Sequence, residues 1–326
     1  MRAIVVENPG PESRLRISEV PPPALTPDGV RIAVAATAVN RADLLQRRGL
    51  YPPPPGASEI LGLECAGTVT ELGREVMDFR VGDRVMALLA GGGYAEEVVA
   101  PAACTMRVPE CLGLEEAAAL PETFLTAHLN LFELGGLAPG GTALVHGGGS
   151  GVGTSAIQLV KEAGGRIVVT AGSEAKCERC LSLGADRAVN YRSGDFVAEA
   201  REETGGEGVD VVLDSIGAPY LERNLAALRI GGRLVVIGLM GGAKAEVHLG
   251  VLLSRRLSVI GSTLRSRPVE EKGALVRSFL ERFGAALEAG RIRPVVDRVL
   301  PLEAADEAHR LLERSEHFGK VVLRVA

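Results

Sequence analysis

The sequence has no cluster of lysine and arginine and no basic stretch interleaved with aromatic side chains, the features by which proteins grip a nucleic-acid backbone. Its formal net charge is −5. No stretch approaches the roughly 18 consecutive apolar residues of a membrane-spanning helix. The first residues, MRAIVVENPG, also lack the apolar segment of a secretion signal. These absences argue against nucleic-acid and membrane partners, and we expect a cytoplasmic protein.

Cysteine is scarce, and its count is odd: Cys65, Cys104, Cys111, Cys177 and Cys180. An odd number in a long chain without a secretion signal argues against a disulfide framework. Cys177-x-x-Cys180 could be a redox pair or half of a zinc site, but no second Cys or His pair stands at ligand spacing. We interpret the two as positions on an ordinary helix, and we predict no metal.

A chain of 326 residues is long enough for two domains, and its pattern changes along its length. The first third is β-rich: GVRIAVAATAV alternates apolar and small or polar residues, and AGTVTEL, DRVMALL and YAEEVVA follow, separated by turn residues. These runs predict a small barrel. Between them NRADLLQRRG predicts a short helix ended by Gly49, which precedes Tyr51 and four prolines.

From about Gly113 the pattern becomes helical, with a break at Pro121 and a stop at Gly135-Gly136. Strands and helices then alternate through TALVH, RIVVTA, RAVNY, VDVVLDSIG, GRLVVIGL and LSVIGSTL, the first four followed by helices that end in glycine. Such apolar strands with helical crossovers predict a six-stranded parallel sheet of the doubly wound type. The tail after Ser266, a long helix and a short β-containing segment, should return to the N-terminal part.

The segment GGGSGVG, residues 147–153, lies between strand TALVH and helix TSAIQLVKEAGG. Glycines at such a turn let the backbone approach a pyrophosphate at the start of a helix. The alternative is a purely structural turn, but the surrounding β-α alternation favours dinucleotide binding. Ser150 replaces the middle glycine of the usual spacing, and we hypothesise that its hydroxyl hydrogen-bonds the cofactor.

The end of the second strand of this alternation decides which dinucleotide is bound. An acidic residue there accepts hydrogen bonds from a free ribose 2′-hydroxyl, but the sequence is TAGSEAK, with no acid ending the strand. The Ser173 hydroxyl and the Lys176 ammonium can instead hold a 2′-phosphate. Glu174 would repel that phosphate if it turned inward; alternatively it is a solvated first-turn residue. The segment predicts NADPH rather than NADH.

The motifs together resemble a known family. Zinc alcohol dehydrogenases carry Cys-x-x-Asp and Gly-His-Glu where this chain has Asn40-Arg41-Ala42-Asp43 and Gly62-Leu63-Glu64, so the thiolate and the imidazole that bind zinc are missing. The chain resembles the zinc-free NADPH:quinone oxidoreductase (zeta-crystallin-like) branch of the medium-chain dehydrogenases/reductases, in particular the tumour-suppressor-inducible type. The matching stretches are NRADLLQRRGLYPPPPGASEILGLECAG, MALLAGGGYAEEV, ALPETFLTA, SGVGTSAIQL, VTAGSEAK, VVLDSIG, GLMGG, TLRSR and GKVVL.

The resemblance implies an α/β protein, with a GroES-like β-rich catalytic domain at 1–121 and 266–326 and a doubly wound Rossmann domain with a six-stranded parallel sheet at 122–265. It implies a homodimer or tetramer and NADPH as cofactor. The residues it places at the cofactor are Asn40 and Thr126 near the nicotinamide, Ser150, Gly151 and Val152 at the pyrophosphate, Gly172, Ser173, Lys176 and Tyr191 at the adenosine phosphate, and Ile216, Gly238, Leu239 and Met240 at ribose and nicotinamide. It places Tyr51 at the substrate mouth and makes Ser150 important for activity.

We therefore expect metal-free hydride transfer to a quinone. Tyr51, held by the stiff proline segment, would stack on or hydrogen-bond the carbonyl as a neutral donor, while Asn40 orients the ring. Alternatively Tyr51 is a surface aromatic before a turn, and Asn40 is a helix N-cap. Two other functions stay open: reduction of an activated C=C bond in enones or alkenals, and cofactor binding with little catalysis, as in crystallin-type relatives.

Three further features carry weaker expectations. Arg265 and Arg267 could reach the cofactor or an acidic substrate, or lie in a solvated loop. His146 precedes the glycine loop without a partner at fixed spacing, which favours a structural role. Strand LSVIGSTL is apolar enough to pair with a second copy at the sheet edge.

Overall fold

The computed structural model describes residues 1–325. It divides into two compact units, one formed by Met1–Leu125 with Leu264–Ala326 and the other by Thr126–Thr263. The predicted domains were 1–121 with 266–326 and 122–265. Both predicted domain boundaries lie within a few residues of the observed ones.

The elements follow in chain order. The strands are β1 Arg2–Glu7, β2 Arg14–Glu19, β3 Gly29–Ala38, β4 Glu64–Leu72, β5 Arg84–Leu88, β6 Glu97–Pro101, β7 Thr105–Arg107, β8 Thr142–His146, β9 Arg166–Ala171, β10 Arg187–Asn190, β11 Val209–Asp214, β12 Leu228–Val236, β13 Ser258–Gly261, β14 Val296–Pro301 and β15 Lys320–Arg324. The helices are α1 Arg41–Arg47, α2 Leu114–Ala117, α3 Pro121–His128, α4 Gly151–Glu162, α5 Glu174–Ser182, α6 Phe196–Glu203, α7 Leu221–Ala227, α8 Leu249–Arg255, α9 Val269–Glu288 and α10 Ala305–Glu313.

The first unit is built on a seven-stranded sheet with the order β14-β15-β3-β4-β5-β7, in which β6 also pairs with β3. The alternation predicted in β3 is present, because Val30, Ile32 and Val34 are all buried. Strand β15 pairs antiparallel with β3. The tail therefore returns to the N-terminal part, as predicted. The antiparallel β1 and β2 form a separate two-stranded sheet.

The second unit contains a six-stranded sheet in the order β10-β9-β8-β11-β12-β13, with every neighbouring pair parallel. Counted within the unit, this is the order 3-2-1-4-5-6 of the classic dinucleotide fold. The central strand β8 is buried throughout, as a strand covered on both faces must be. The predicted doubly wound sheet is confirmed. The switch in strand order lies between β8 and β11, so the loops that follow these two strands meet where dinucleotides bind in such folds.

The local predictions were confirmed in part. The predicted break at Pro121 is present: α2 ends at Ala117 and Pro121 begins α3, where a proline is tolerated because its missing N–H has no partner to lose. Glycines with positive φ end α4, α5 and α6 as expected, at Gly164, Gly184 and Gly205. Gly231, in contrast, lies within β12 rather than capping α7. Helix α8 was not predicted.

Candidate active site and cofactor site

The glycine loop after β8 has the shape that its sequence predicts. Gly147 takes a φ of 77°, which favours glycine. A Cβ on Gly153 would lie 2.3 Å from the Gly147 carbonyl oxygen, and one on Gly148 would lie 2.7 Å from the Cβ of Val169 on β9. Gly148 therefore packs the loop against the neighbouring strand, and Gly153 packs the first turn of α4 against the loop. Both close approaches require glycine.

Ser150 is the N-cap of α4, and its Oγ accepts a hydrogen bond of 3.0 Å from the Gly153 N–H. A hydroxyl that accepts from the backbone still has its own hydrogen to donate. The N–H groups of Gly151 and Val152 in the first turn have no partner within the helix, and the helix dipole adds positive potential there. The start of α4 can thus offer a phosphate two backbone N–H donors, from Gly151 and Val152, and the hydroxyl donor of Ser150. Capping and cofactor contact are compatible roles for Ser150.

The turn after β9 carries the residues predicted to select the cofactor. Ser173 is the N-cap of α5 and accepts from the Lys176 N–H at 3.3 Å. The Glu174 Oε1 accepts a hydrogen bond of 2.7 Å from Asn190 Nδ2 at the end of β10. Glu174 is therefore not merely a solvated first-turn residue, since an amide fixes its carboxylate. Tyr191 lies beside the turn, and a Cβ on Gly172 would meet its hydroxyl oxygen at 2.7 Å.

The loops after β11 and β12 lie together, as the predicted ribose and nicotinamide contacts require. The Gly241 N–H donates to the Ile216 carbonyl at 2.8 Å, and the Met240 N–H donates to the Ser215 carbonyl at 3.2 Å. Leu239 and Met240 are both more than half exposed, at 55% and 54%. The loop after β12 thus presents an apolar surface at the end of the sheet.

Thr126, the remaining predicted contact of this unit, lies buried on α3, where its carbonyl accepts from Asn130 Nδ2 at 2.7 Å. A turn of π-helix at Leu129–Glu133 directly follows α3.

His146 belongs to a buried hydrogen-bond chain that sequence reasoning missed. Its Nδ1 lies 3.1 Å from Thr170 Oγ1, and its Nε2 lies 2.7 Å from Asn224 Oδ1. Asn224 donates in turn to Asp214, whose carboxylate accepts from the Ile216 and Gly217 N–H groups. Burial lowers the pKa of His146 to about 4, so the ring is neutral at pH 7. This arrangement agrees with the structural role expected for His146, because the hydrogen bonds that run from His146 through Asn224 to Asp214 fix the loop that carries Ile216.

Asn40, in the first unit, is the N-cap of α1, and its backbone N–H donates to Asp43 Oδ2 at 2.8 Å. Its side chain is used elsewhere: Nδ2 donates to the Ala38 carbonyl and to Glu64 Oε1, and Oδ1 accepts from Lys320. Both N–H bonds of the amide are therefore engaged within the unit. A contact with a ring would use the second lone pair of Oδ1.

Glu64 and Lys320 form a buried ion pair beside Asn40. The Lys320 Nζ lies 2.7 Å from Glu64 Oε1, 2.6 Å from Asn40 Oδ1 and 3.0 Å from the Val39 carbonyl oxygen. All three N–H bonds of the ammonium are thus directed to oxygen acceptors. The other carboxylate oxygen, Glu64 Oε2, accepts from the Glu122 N–H at 2.9 Å. Neither side chain of this pair could have been assigned a role from sequence spacing, because they are far apart in the chain.

Tyr51 lies under the guanidinium of Arg265, with the Arg265 Cζ 5.5 Å from the ring centroid. Arg265 is buried and donates to Gln46 Oε1 at 2.7 Å and to the Ala90 carbonyl at 2.8 Å. Burial, and next the charge of Glu122, raises the pKa of Tyr51 above its ordinary value. Tyr51 is therefore a neutral phenol held against an arginine, not an isolated surface aromatic. Arg265 is not in a solvated loop, whereas Arg267 pairs with Glu271 on α9 at 2.9 Å.

The donor set at Asn40, Leu63 and Glu64 does not fit zinc. A catalytic zinc site needs thiolate, imidazole or carboxylate ligands in a tetrahedral arrangement with one open position. Here Asn40 replaces a thiolate, Leu63 replaces an imidazole, and the Glu64 carboxylate binds the Lys320 ammonium. In residues 1–325 no group of three or more His, Cys, Asp and Glu side chains is placed to hold a metal ion. Over the same residues, none of the helices has the length and hydropathy of a membrane span.

Comparison with known families agrees with the two-unit architecture. Residues 26–110 match the alcohol dehydrogenase GroES-like domain, and residues 151–280 match the zinc-binding dehydrogenase domain. The rat quinone oxidoreductase is 32% identical over 326 residues, which cover 99% of this chain and 97% of that protein. A phenolphthiocerol/phthiocerol polyketide synthase of Mycobacterium tuberculosis is 34% identical over 98% of this chain, but the chain spans only 14% of that much longer protein.

Solved structures show the same fold over the full chain. The Escherichia coli quinone oxidoreductase complexed with NADPH matches with a TM-score of 0.86, 31% identity and 99% coverage of each chain. An NAD-dependent alcohol dehydrogenase matches with a TM-score of 0.87, 38% identity and full coverage of both chains. The CurK enoyl reductase matches with a TM-score of 0.85 and 30% identity, over 100% of this chain and 99% of its own. Fold and site together define a dehydrogenase or reductase with a GroES-like domain and a dinucleotide fold. The chain belongs to the medium-chain dehydrogenase/reductase family.

Proposed function

We propose that this protein is an NADPH-dependent, metal-independent reductase of quinones. A bound NADPH would supply the hydride. The chain's own residues would hold the cofactor and orient the acceptor, and they would stabilise the negative charge that develops on the acceptor oxygen. Within the family, the motif resemblance favours the zeta-crystallin-like, tumour-suppressor-inducible branch.

The proposal that no metal is needed is supported by the contacts of Lys320 Nζ with Asn40 Oδ1 and Glu64 Oε1. A fixed ammonium lies among the side chains that replace the zinc ligands of related dehydrogenases, and a cation next to it would be repelled. A quinone does not need a Lewis acid, because its reduced form is a stabilised aromatic oxyanion. Hydrogen-bond donors aimed at that oxygen are sufficient for this acceptor.

The second unit offers the groups that would hold NADPH. The pyrophosphate would meet the N–H groups of Gly151 and Val152 and the Ser150 hydroxyl, at a helix N-terminus suited to anions. The adenosine 2′-phosphate would meet Ser173 and Lys176 beside Gly172 and Tyr191. The nicotinamide and its ribose would lie against Thr126, Ile216 and the turn 238–240.

The first unit offers the groups that would meet the acceptor. Tyr51 is a neutral phenol, and its raised pKa keeps its proton available for a hydrogen bond at neutral pH. Arg265 lies over the face of the ring and fixes its orientation. Asn40 would help to orient the acceptor ring through its remaining lone pair. The four prolines that follow Tyr51 restrict the backbone at the rim.

NADPH oxidation with an ortho-quinone, a para-quinone and an alkenal in turn tests this proposal. We expect the quinones to be reduced, with undiminished rates after exhaustive chelation and dialysis. Rates that need added zinc would contradict metal independence. Consumption of NADH in strong preference to NADPH would contradict the cofactor assignment and would resemble the NAD-dependent neighbour instead.

A second candidate is reduction of an activated C=C bond, favoured by the structural match to the CurK enoyl reductase. This reaction would use the same cofactor and the same donors. Turnover of the alkenal without turnover of either quinone would select it. Binding of NADPH without turnover of any of the three acceptors would select the third function, a weakly catalytic cofactor-binding protein.

A further inference from the structure

One oxygen of the Glu122 carboxyl group is buried without a hydrogen-bond partner. Glu122 is the second residue of α3, and its backbone N–H binds Glu64 Oε2 at 2.9 Å. Its Oε2 is fully buried and makes no hydrogen bond, although the residue as a whole is partly exposed. Glu122 lies in ALPETFLTA, one of the stretches that carry the resemblance, but neither the resemblance nor the proposed function gives it a role. Most buried polar side-chain atoms have a hydrogen-bond partner, so this unsatisfied oxygen needs an explanation, and a catalytic role is one that its surroundings can test.

The charges around Glu122 favour its protonated form. Lys320 is the positive charge that lowers the pKa of Glu122 most, but its three N–H bonds already go to Glu64, Asn40 and the Val39 carbonyl. Burial, and next the charge of Glu64, raises the pKa of Glu122 to about 8. The charged and titratable groups that face it are Glu64 on β4, Asp43 on α1, Lys320 on β15, Lys272 on α9, Arg265 before α9 and Tyr51 after α1. A carboxylic acid in this setting carries a proton at pH 7.

The position of Glu122 also couples it to the predicted acceptor side chains. Its charge raises the pKa of Tyr51, and it interacts electrostatically with Arg265, whose guanidinium lies over the Tyr51 ring. Tyr51 itself is a poor source of a proton, because burial raises the pKa of its phenol above the ordinary value, which is already far above neutral pH. A carboxyl group that titrates near pH 8 is much better matched to proton transfer.

We propose that Glu122 is the proton donor of the reduction, with Tyr51 as the hydrogen-bond donor that positions the acceptor. This inference rests on the proposed reductase function. Bound NADPH would supply the hydride, and with it the two electrons, that the quinone takes up. The Glu122 O–H bond breaks and a new O–H bond forms at the acceptor oxygen, so that quinone, hydride and proton give the hydroquinone. Lys272 and Arg265 stabilise the carboxylate left behind, and solvent reprotonates it through the exposed side of the residue.

The test compares Glu122→Gln with the wild type and with Glu110→Gln. Glu110 is an exposed glutamate of the same unit and is not among the charged groups that act on Glu122. Glutamine keeps the size of the side chain and removes the acidic proton. We expect kcat for quinone reduction to fall by at least about 100-fold in Glu122→Gln, while NADPH binding measured by fluorescence stays unchanged. We expect wild-type kcat to fall as the pH rises through about 8 and this dependence to disappear in the variant. Glu110→Gln should behave as the wild type.

Infrared titration of the wild-type protein without cofactor gives a readout that does not depend on turnover. We expect a carboxylic-acid carbonyl band at pH 7 that disappears as the pH rises through about 8 and is missing in Glu122→Gln. No such band, or full activity with an unchanged pH profile in the variant, would overturn the assignment of Glu122. A wild-type protein that shows the band but reduces no acceptor would instead overturn the proposed function. The wild-type titration remains decisive even if Glu122→Gln does not fold.

Discussion

The Lys320 ammonium and the Glu64 carboxylate meet at 2.7 Å, with side-chain exposures of only 4% and 0%. An ion pair so completely removed from water gives up the hydration of both charges, and the contacts that compensate come from Asn40 and the Val39 carbonyl. Removing one partner would leave the other charge buried and uncompensated.

Lys320→Met should therefore lower the free energy of unfolding by about 3 to 5 kcal/mol, measured by urea denaturation. The double variant Lys320→Met/Glu64→Gln should recover part of that loss, because no charge then stays buried. As a control, Arg324→Met removes an exposed ion pair with Glu115 and should cost less than about 1 kcal/mol. An equal effect of Lys320→Met and Arg324→Met would mean that the buried contact is not the stabilising one.

Lys176→Ala should weaken NADPH binding by about 10-fold or more and leave NADH binding nearly unchanged, because only NADPH carries the 2′-phosphate that the ammonium would bind. Isothermal titration with both cofactors measures the two affinities. Lys161→Ala provides the control, since Lys161 binds Asp186 at 2.7 Å. An equal loss for both cofactors would place Lys176 away from the 2′-phosphate.

Ser150→Gly should weaken NADPH binding or turnover several-fold, the scale of one lost hydrogen bond. Glycine is itself an acceptable N-cap, so the cost to the stability of α4 should be only a few tenths of a kcal/mol. Cofactor affinity and thermal unfolding measured on the same variant separate the two roles. A large fall in unfolding temperature with unchanged affinity would reduce Ser150 to a helix cap.

Acid should destabilise the protein through His146. Its folded pKa of about 4 lies below the ordinary value of about 6.5, so the unfolded chain takes up a proton that the folded protein does not bind. The stabilisation is therefore complete above about pH 6.5 and is lost as the pH falls towards about 4. Nitrogen NMR should detect a neutral His146 ring at about pH 5.5, between these two values. A protonated ring in the folded protein at that pH would contradict the buried hydrogen-bond chain.

Val259→Lys should abolish self-association if β13 pairs with a second copy, as the sequence pattern suggests. β13 lies at the edge of the six-stranded sheet, and Val259 is 45% exposed there. A charge on such an edge disfavours strand pairing. Light scattering coupled to size exclusion should report a dimer for the wild type and a monomer for this variant, with Val81→Lys, at an exposed position of the first unit, as the control. A monomeric wild type would contradict the dimer.

Periodicity and turn residues were sufficient for most of the fold. Neighbouring residues in the sequence determine the alternation in β3 and the strands of the parallel sheet. The same is true of the glycines at the two close approaches of the loop after β8. Helix α8 was missed because it has only seven residues. Its leucines at 249 and 253 are exposed, at 72% and 82%, and Leu252 packs against the core, so the segment shows no extended apolar face. The hairpin β1–β2 was missed because short strands near a terminus carry little pattern.

The site was predicted less completely, because its decisive contacts are distant in sequence. The glycine loop and the turn after β9 are contiguous motifs, and the structure keeps them together. Glu64 and Lys320, in contrast, are brought into contact only by the pairing of β15 with β3 and of β3 with β4. Likewise Asp214 and Asn224 acquire their roles through His146, and no spacing rule links the three.

Coenzyme engineering in this fold would have to treat positions 172 and 191 as one unit. An acidic side chain at residue 172 is the obvious route to a preference for the unphosphorylated nucleotide, but any Cβ there would come within 2.7 Å of the Tyr191 hydroxyl oxygen. That oxygen is the end of a side chain that is 42% exposed, so the tyrosine ring has to turn away when residue 172 carries a side chain. A single replacement at Gly172 would therefore change the adenosine end of the cofactor site at two positions, because it also displaces Tyr191.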